Sequence, residues 1–387
     1  MREPVDVIKR YNLPEKVKFC KCCVISNQRP RICLDDKGIC SACRFAERKK
    51  KTIDWNDREK QLIELLDRHR SKNGKHDVVV PASGGKDSAF VAHQLKYKYG
   101  MRPLTVTWAP ALFTDVGWRN FQNFIQAGFD NILCTPNPEV HRKLTRLGFE
   151  HLAEPFQPFA YGVKNFATSM AVKYQIPLIM YGENGEVEYG GDSKNEEIPT
   201  HNLNDDLERH YFSNMGPLRW LEYGIKREDL ALYLPPPAEE LQKLNAEAHF
   251  FGFYKKWIPQ ENYYYAMEHT GFEANPDGRS EGTYSRYASL DDKLDGFHFW
   301  MAYIKFGIGR ATSDAAHEIR DGHLTREEGV ALVRRFDGEF PKLYFKDFLD
   351  YTRLTEDEFW EIVNSYRSPH IWKQTSDGEW QLKHEID

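Results

Sequence analysis

Between residues 76 and 182 short apolar runs alternate with stretches of helical periodicity. The runs are DVVVPA, PLTVTWA, NILCTP and PLIMYGE, and the pattern predicts helices over 87–99, near 115–127, near 138–151 and over about 160–174. Such alternation builds βαβ units, so the expected class is α/β with a doubly wound, mostly parallel sheet. Upstream, DREKQLIELLDRHRSK at 57–72 puts Leu62, Ile63, Leu65 and Leu66 on one helical face and charges on the other, which reads as a connecting amphipathic helix. After Gly182 the acidic, glycine-containing ENGEVEYGGDSKNEEIPTHNLNDD is too polar for a strand and long for a plain connection, so a functional lid or binding loop is expected. From about 205 the chain is rich in helical patterns and aromatics, with AHFFGFYKKWIP predicted as a strand and LPPP at 234–237 as a break. The stretch 313–335 reads as helix, glycine stop, then a second helix with Thr325 as N-cap and Glu328 closing a capping box, leaving His317 and His323 at the surface. These boundaries give a cysteine module at 16–50, a linker helix at 51–75, an α/β domain at 76–204 and a mainly helical region at 205–387.

Composition narrows the function. The 387 residues are 41% hydrophobic and 14% aromatic, enough for a large core. The net charge of -5 gives no global basic field to draw the chain to nucleic acid or an anionic membrane, so any polyanion site must be local. MREPVDVIKR lacks the apolar centre of a secretory signal and no apolar run approaches a membrane span, so the cytoplasm is expected. In a reducing compartment clustered cysteines favour metal over disulfides.

Six of the seven cysteines fall between positions 20 and 43. Cys20-x2-Cys23 and Cys40-x2-Cys43 have zinc-ribbon spacing, with hairpin-turn chemistry in the intervening DDKG. Four thiolates leave no open coordination position, so a structural Zn2+ is expected; Cys22 and Cys33 are rival ligands, and an iron–sulfur cluster or redox dithiol is the alternative.

The most specific chemistry lies in VVVPASGGKDSAF at 78–90. Gly84 and Gly85 permit close backbone approach, and the following helix offers unpaired amides at the positive end of its dipole, which makes an anion cradle. Ser83 and Ser88 add hydroxyls, Lys86 adds charge, and Asp87 orients amides or holds Mg2+ beside phosphates. The motif is neither a Walker A loop nor a dinucleotide fingerprint. Ser83 to Ser88, SGGKDS, match the PP-loop of ATP pyrophosphatases, whose members transfer AMP from ATP to a carbonyl-type oxygen and release pyrophosphate. That resemblance implies an adenine nucleotide alpha hydrolase-like sheet with adenine held at the end of the next strand, at Val106, Thr107 and Trp108, although Trp108 reads equally well as core.

With the cysteine pairs and the PP-loop in register with YGENGEVEYGG and KFGIGRATSDAAHEIRDGHLTREEG, the chain resembles the bacterial N-acetyl sugar amidotransferases from about Cys20 to past residue 330. The resemblance implies conversion of an N-acetyl group to an acetamidino group on a sugar or nucleotide sugar of O-antigen or nonulosonic-acid pathways. It also implies ammonia from a separate glutaminase with a cyclase-like partner, because no glutaminase nucleophile is evident in this chain. The oxygen of an acetamido group leaves only after activation, so ATP is required. A tRNA-thiolating PP-loop enzyme is the main competitor; its downstream reactive cysteine would have to be Cys134, which reads as buried core, and RKKK at 48–51 is the main basic stretch for RNA. A binding scaffold without catalysis is the third reading, disfavoured by the intact loop.

Gly182, Glu183 and Asn184 follow the fourth apolar run and are expected at the same sheet edge as the loop, with Glu183 taking a proton from attacking ammonia and Glu186 and Glu188 as rivals. Arg286, Lys293 and Arg310 are candidates to neutralise departing pyrophosphate; Lys293 is chosen because related PP-loop enzymes use a distant lysine, and Arg310 because two nearby glycines allow close approach. The aromatic stretch HFFGFYKKWIPQENYYY is expected mainly in core or interface, with sugar stacking as the alternative.

Overall fold

A computed structural model describes residues 2–191, 196–201, 203 and 213–387. Part of the predicted lid, including residues 192–195 and 204–206, lies outside the described residues. The four apolar runs form β1 (Val78–Pro81), β2 (Pro103–Trp108), β3 (Asp130–Cys134) and β4 (Leu178–Tyr181), joined by β5 (Thr200–His201) and β6 (Glu247–Phe250). Their order is β3-β2-β1-β4-β6-β5, parallel except for β5. Val79 pairs with both Leu104 and Ile179, so β1 lies at the centre where the chain changes direction across the sheet. In open α/β sheets ligands bind outside the carboxyl ends of the strands at such a switch point. The segments leaving β1 and β4 there are the SGGKDS loop and Gly182–Asn184.

The β-branched run is buried on both faces, as a parallel strand must be. Val78 and Val80 face Leu62, Leu65, Leu66 and Trp257, whereas Val79 packs with Leu104, Tyr161 and Ile179 on the other side. The predicted connecting helix is Trp55–His69, capped by Asp54, whose carboxylate accepts from Asn56 N and Asp57 N. It packs into the sheet core, and its apolar stripe is narrower than expected: Ile63 is 43% exposed. Residues 62, 65 and 66 share one face at helical spacing, and 63 falls to its side.

Two further expectations are corrected. AHFFGFYKKWIP is a strand only to Phe250; Phe251–Tyr254 then form a helical turn. The turn lets Gly252 pass under the end of β4, where its N–H donates to Gly182 O at 3.0 Å. His317, expected at the surface, is buried, because the helix Arg310–Asp321 packs against the helix Ser41–Lys51 of the cysteine module. His323 is exposed, and the Thr325–Glu328 capping box is formed. The C-terminal helices enclose an aromatic core around Phe297, Trp300, Phe348 and Phe359. Among the described residues no helix is long and apolar enough to cross a membrane.

Candidate functional site

The strand-to-helix turn after β1 is built around one unusual backbone position. Gly84 has φ +86°, and a Cβ there would lie 2.6 Å from Phe121 Cα. Gly85 caps the helix Lys86–His93 with no side-chain hydrogen bond at the cap, so no capping oxygen takes the first-turn amides. Ser83 Oγ accepts from Gly85 N at 3.3 Å and Ser88 Oγ donates to Gly85 O at 3.1 Å, which stiffens the turn. Asp87 stands at its mouth: one carboxylate oxygen pairs with Lys86 Nζ and the other accepts from Asn262 Nδ2 at 3.1 Å. Gly84→Ala is expected to combine a left-handed backbone cost of about 1–2 kcal/mol with displacement of Phe121. Nucleotide titration should show lost binding and thermal unfolding a lowered Tm; wild-type affinity would disprove the tight approach.

At the end of β4, Gly182 is held against Trp257, 3.0 Å from where its Cβ would be. Glu183 follows, its carboxyl pushed up to about 7 by burial and then by the charge of Asp87. Lys164, on the helix Gln157–Tyr174, is pulled down to about 8 by burial against the opposing influence of Glu183 and Glu186. Neither feature is visible as a motif. Both groups therefore sit near the pH at which a proton is easily exchanged. Asn184 caps the turn Gly185–Glu188 by accepting from Glu186 N at 3.1 Å. The two rival acids are engaged elsewhere: Glu186 pairs with Arg31, and Glu188 is buried against Lys49 Nζ at 2.9 Å.

Glu183 yields a pH prediction. Its folded value near 7 lies above the ordinary 4.5, so across that window the folded chain keeps a proton that the unfolded chain has lost. Its contribution to stability therefore falls as pH rises through the window, while its basic form becomes available only toward the upper end. At constant free ammonia, turnover should rise with a midpoint near 7, and Glu183→Gln should lower the rate and flatten that limb. An unchanged profile in the variant would remove Glu183 from proton transfer.

The C-terminal region closes over the loop. Asp291 lies beside Ser83, its carboxyl pushed up to about 6 by burial and by Asp295. Arg310 ion-pairs with Asp314 at 3.1 Å and faces Asp295 and Tyr189; burial would lower its pKa, but these neighbours hold it above the usual arginine range. Arg310 thus shares an environment with the loop, since Tyr189 is also within the field of Glu183 and Asp87. Lys293 is placed differently. Its ammonium pairs with Asp347 at 2.7 Å and lies over the Tyr344 ring, on the far side of the segment that carries Asp291. Arg286 is exposed. Val106, Thr107 and Trp108 are all buried, and Trp108 is clamped against Gly162 and edge-on to Tyr233 and Phe166. Asp291, Asp295, Asp314 and Lys164 escaped the sequence reading because they reach the site from separate elements.

The four named cysteines converge. Their Sγ atoms lie within 4.8 Å of one another, with Cys20–Cys43 at 3.9 Å and Cys23–Cys40 at 3.8 Å. A tetrahedral Zn2+ with bonds of about 2.3 Å sets its sulfurs about 3.8 Å apart. A cubane, which spreads its thiolates over separate irons, needs a wider set. Cys20 Sγ also accepts from Cys22 N at 3.4 Å and Cys40 N at 3.3 Å, bonds that orient thiolate ligands. Cys22 and Cys33 are exposed and outside the cluster.

This module grips the segment beyond Glu183. Lys49 Nζ donates to both oxygens of Glu188 at 2.9 Å and to Trp257 O at 2.9 Å. Arg320 bridges Cys23 Sγ at 3.9 Å and Glu188 O at 2.9 Å. Ser41 Oγ donates to Gly191 O at 3.1 Å and Arg29 Nε to Gly190 O at 3.2 Å.

The chain is thus an α/β protein whose mostly parallel sheet carries the SGGKDS loop at its switch point, preceded by a four-cysteine cluster and followed by a helical region. Within it, residues 281–386 match the family described as "LPS biosynthesis protein WbpG-like, C-terminal domain". No curated protein sequence matches the chain. Among solved structures it is similar to an NH3-dependent NAD synthetase from Campylobacter jejuni, at 14% identity and a TM-score of 0.30 over 50% of this chain and 92% of that one. It is also similar to an NMN synthetase from Francisella tularensis, at 14% identity and a TM-score of 0.28 over 50% and 93% of the two chains. A third is the U34-tRNA thiolase NcsA from Methanococcus maripaludis, determined with its [4Fe-4S] cluster, at 11% identity and a TM-score of 0.29 over 79% and 86%.

Proposed function

We propose that the chain is an ATP-dependent, AMP-forming amidotransferase that converts the N-acetyl group of a bacterial surface sugar to an acetamidino group. The observation that carries this reading is the uncapped helix after Gly85, placed at the sheet's switch point beside Glu183. Supporting it is the C-terminal family match, whose description names LPS biosynthesis. In this reading the amides of residues 85–88 and the Ser83 and Ser88 hydroxyls bind ATP phosphates, and Asp87 holds Mg2+, which supplies charge neutralisation there. The acetamido oxygen attacks the α-phosphorus, and the bond to the β-phosphate breaks to release pyrophosphate. Ammonia then adds to the activated carbon, Glu183 accepts one of its protons, and AMP departs with the former acetyl oxygen. Arg310 is the group proposed to offset phosphate charge.

Ammonia is delivered in this scheme by a separate glutaminase and a cyclase-like partner, and Zn2+ on the four cysteines is structural. tRNA thiolation is disfavoured by the tight sulfur spacing and by Cys134, whose thiol is pushed up by burial when a nucleophile needs the reverse. The test supplies ammonium salts, Mg-ATP and a panel of diacetamido sugars and nonulosonic acids. AMP formation with a product one dalton lighter is expected, as is one zinc and no iron per chain. Absence of ATP binding would end the proposal.

A further inference from the structure

One pair of titratable side chains has no part in the scheme above. Glu154 follows the helix Pro138–Leu152, and His298 lies on the helix Asp295–Phe306. One carboxylate oxygen of Glu154 takes the His298 Nδ1–H at 2.6 Å and also accepts from Phe156 N at 3.1 Å, while the other faces Lys305 Nζ at 3.8 Å. The carboxylate thus fixes both the tautomer and the orientation of the ring. The opposite nitrogen is left over. Nε2 has no hydrogen-bond partner among the described residues, and the imidazole side chain keeps 32% of its surface exposed.

The helices bring this ring beside the nucleotide corner. His298 is one turn from Asp295 and shares its face. Asp295 lies in the field of both Arg310 and Asp291, and Asp291 adjoins Ser83. Phe299 joins the two cations: the Arg310 guanidinium lies 4.4 Å from the centre of its ring, and the His298 ring meets it edge-on at 4.7 Å.

The facing wall is the helix Gln157–Tyr174. Lys164 stands level with the end of β4, where its carbonyl accepts from the Tyr181 hydroxyl at 3.5 Å, and from there the helix runs back along the sheet to enter β4 through Gln175. Its first two turns therefore project about 12 Å past the carboxyl ends of the strands. There Phe156, Phe159, Ala160 and Val163 recur at helical spacing and stay half-buried, with Phe156 against the His298 ring at 5.5 Å. Burial alone would lower the pKa of His298, but Glu154 and then Asp295 outweigh both burial and Lys305 and hold it above the ordinary 6.5. The imidazole thus keeps its second proton above the pH at which a free histidine gives it up. A tethered imidazolium at the end of an apolar wall, with a guanidinium on the neighbouring ring, suits a ligand that carries an anionic oxygen.

We propose that His298, oriented by Glu154, is an anion subsite of this corner and donates from Nε2 to a phosphate or carboxylate oxygen of a bound reactant. The inference rests on the ATP-dependent reading and adds to it a second cationic anchor beside Arg310. The oxygen belongs either to the nucleotide or to an acid group on the acceptor. Calorimetry on the full chain, across the pH range in which histidine titrates, separates the two with a nonhydrolysable Mg-ATP analogue, pyrophosphate, and N-acetylneuraminate beside neutral N-acetylglucosamine. At least one anion should bind more weakly as pH rises through the His298 pKa, because only the imidazolium donates from both nitrogens. His298→Gln, which leaves Glu154 a donor, should weaken that anion about tenfold and remove the pH slope. Glu154→Gln should move the slope to lower pH, which a merely structural pair has no means to do. Loss confined to the analogue and pyrophosphate assigns the oxygen to the nucleotide; loss confined to N-acetylneuraminate assigns it to the acceptor. NMR titration of the wild-type imidazole needs no variant: the bound anion should raise its pKa further. An imidazole that titrates identically with and without saturating anion, or anion affinities that do not depend on His298, would overturn the subsite. ATP-analogue binding that persists unchanged in the variants confines that failure to His298, whereas a wild-type chain that binds no ATP analogue sinks the amidotransferase reading itself.

Discussion

Asp87→Ala is expected to lower AMP formation at least about a thousandfold, the scale of removing a charge clamp from a phosphoryl site, while leaving the cysteine cluster's metal in place. Asp87 sits on the first turn of the helix that follows Gly85, where its backbone is fixed by the turn and its carboxylate by Lys86 and Asn262. Removing it does three things together. It frees Lys86 from its ion pair, removes the carboxylate proposed to hold Mg2+, and relieves the repulsion that helps keep Glu183 protonated. Asp87→Asn separates charge from shape, since the amide oxygen can still accept from Asn262 Nδ2. It should retain the helix and its stability and still fail to turn over. The measurement is AMP release by coupled assay beside metal content by mass spectrometry, and near-wild-type turnover in the alanine variant would remove Asp87 from the mechanism.

Loss of the Zn2+ proposed for the four cysteines is expected to have the largest effect on stability. Zinc on four cysteines is worth about 10–16 kcal/mol in small modules at neutral pH. The module at 16–50 has little apolar content of its own beyond the cysteines, and leans on Ile308, Ala315 and Val330 of the C-terminal region. Cys40→Ser, or exhaustive chelation, should lower Tm sharply and open residues 16–50 to proteolysis. The damage should not stop there. Lys49 and Arg320 tie the module to Glu188, five residues beyond Glu183, through a buried ion pair whose single-sided loss costs about 3–5 kcal/mol. Lys49→Met should therefore reduce turnover with the zinc retained. A chelated protein with an unchanged proteolytic pattern would show the cluster to be dispensable.

Local rules made much of this readable. Alternation of β-branched runs and helical periods led to the sheet because each run is too short and too apolar for anything but a buried strand. The paired cysteine spacing led to the cluster because knuckle geometry is set within four residues, and the double glycine to a tight strand-to-helix turn because a side chain at Gly84 would meet the Phe121 backbone. Misplacements arose where long-range packing decided. His317 sits on a helix whose sequence reads as amphipathic and exposed, yet the cysteine module covers it. AHFFGFYKKWIP carries strand-like aromatics, but Gly252 must turn beneath β4. Lys293 was chosen by chemistry alone, and its ion pair with Asp347, from another helix, could not be read from the sequence.

By itself, then, the amino-acid order determined the elements, the phosphate-type turn and the thiolate knuckles, since each depends on backbone propensity within a few neighbours. Only the folded chain decided which acids face Asp87, which acid pairs with Lys293, and that the cysteine module braces the segment beyond Glu183. Those relations join residues from 54 to 139 positions apart, and burial and electrostatic coupling at that range follow from packing, which no local pattern encodes.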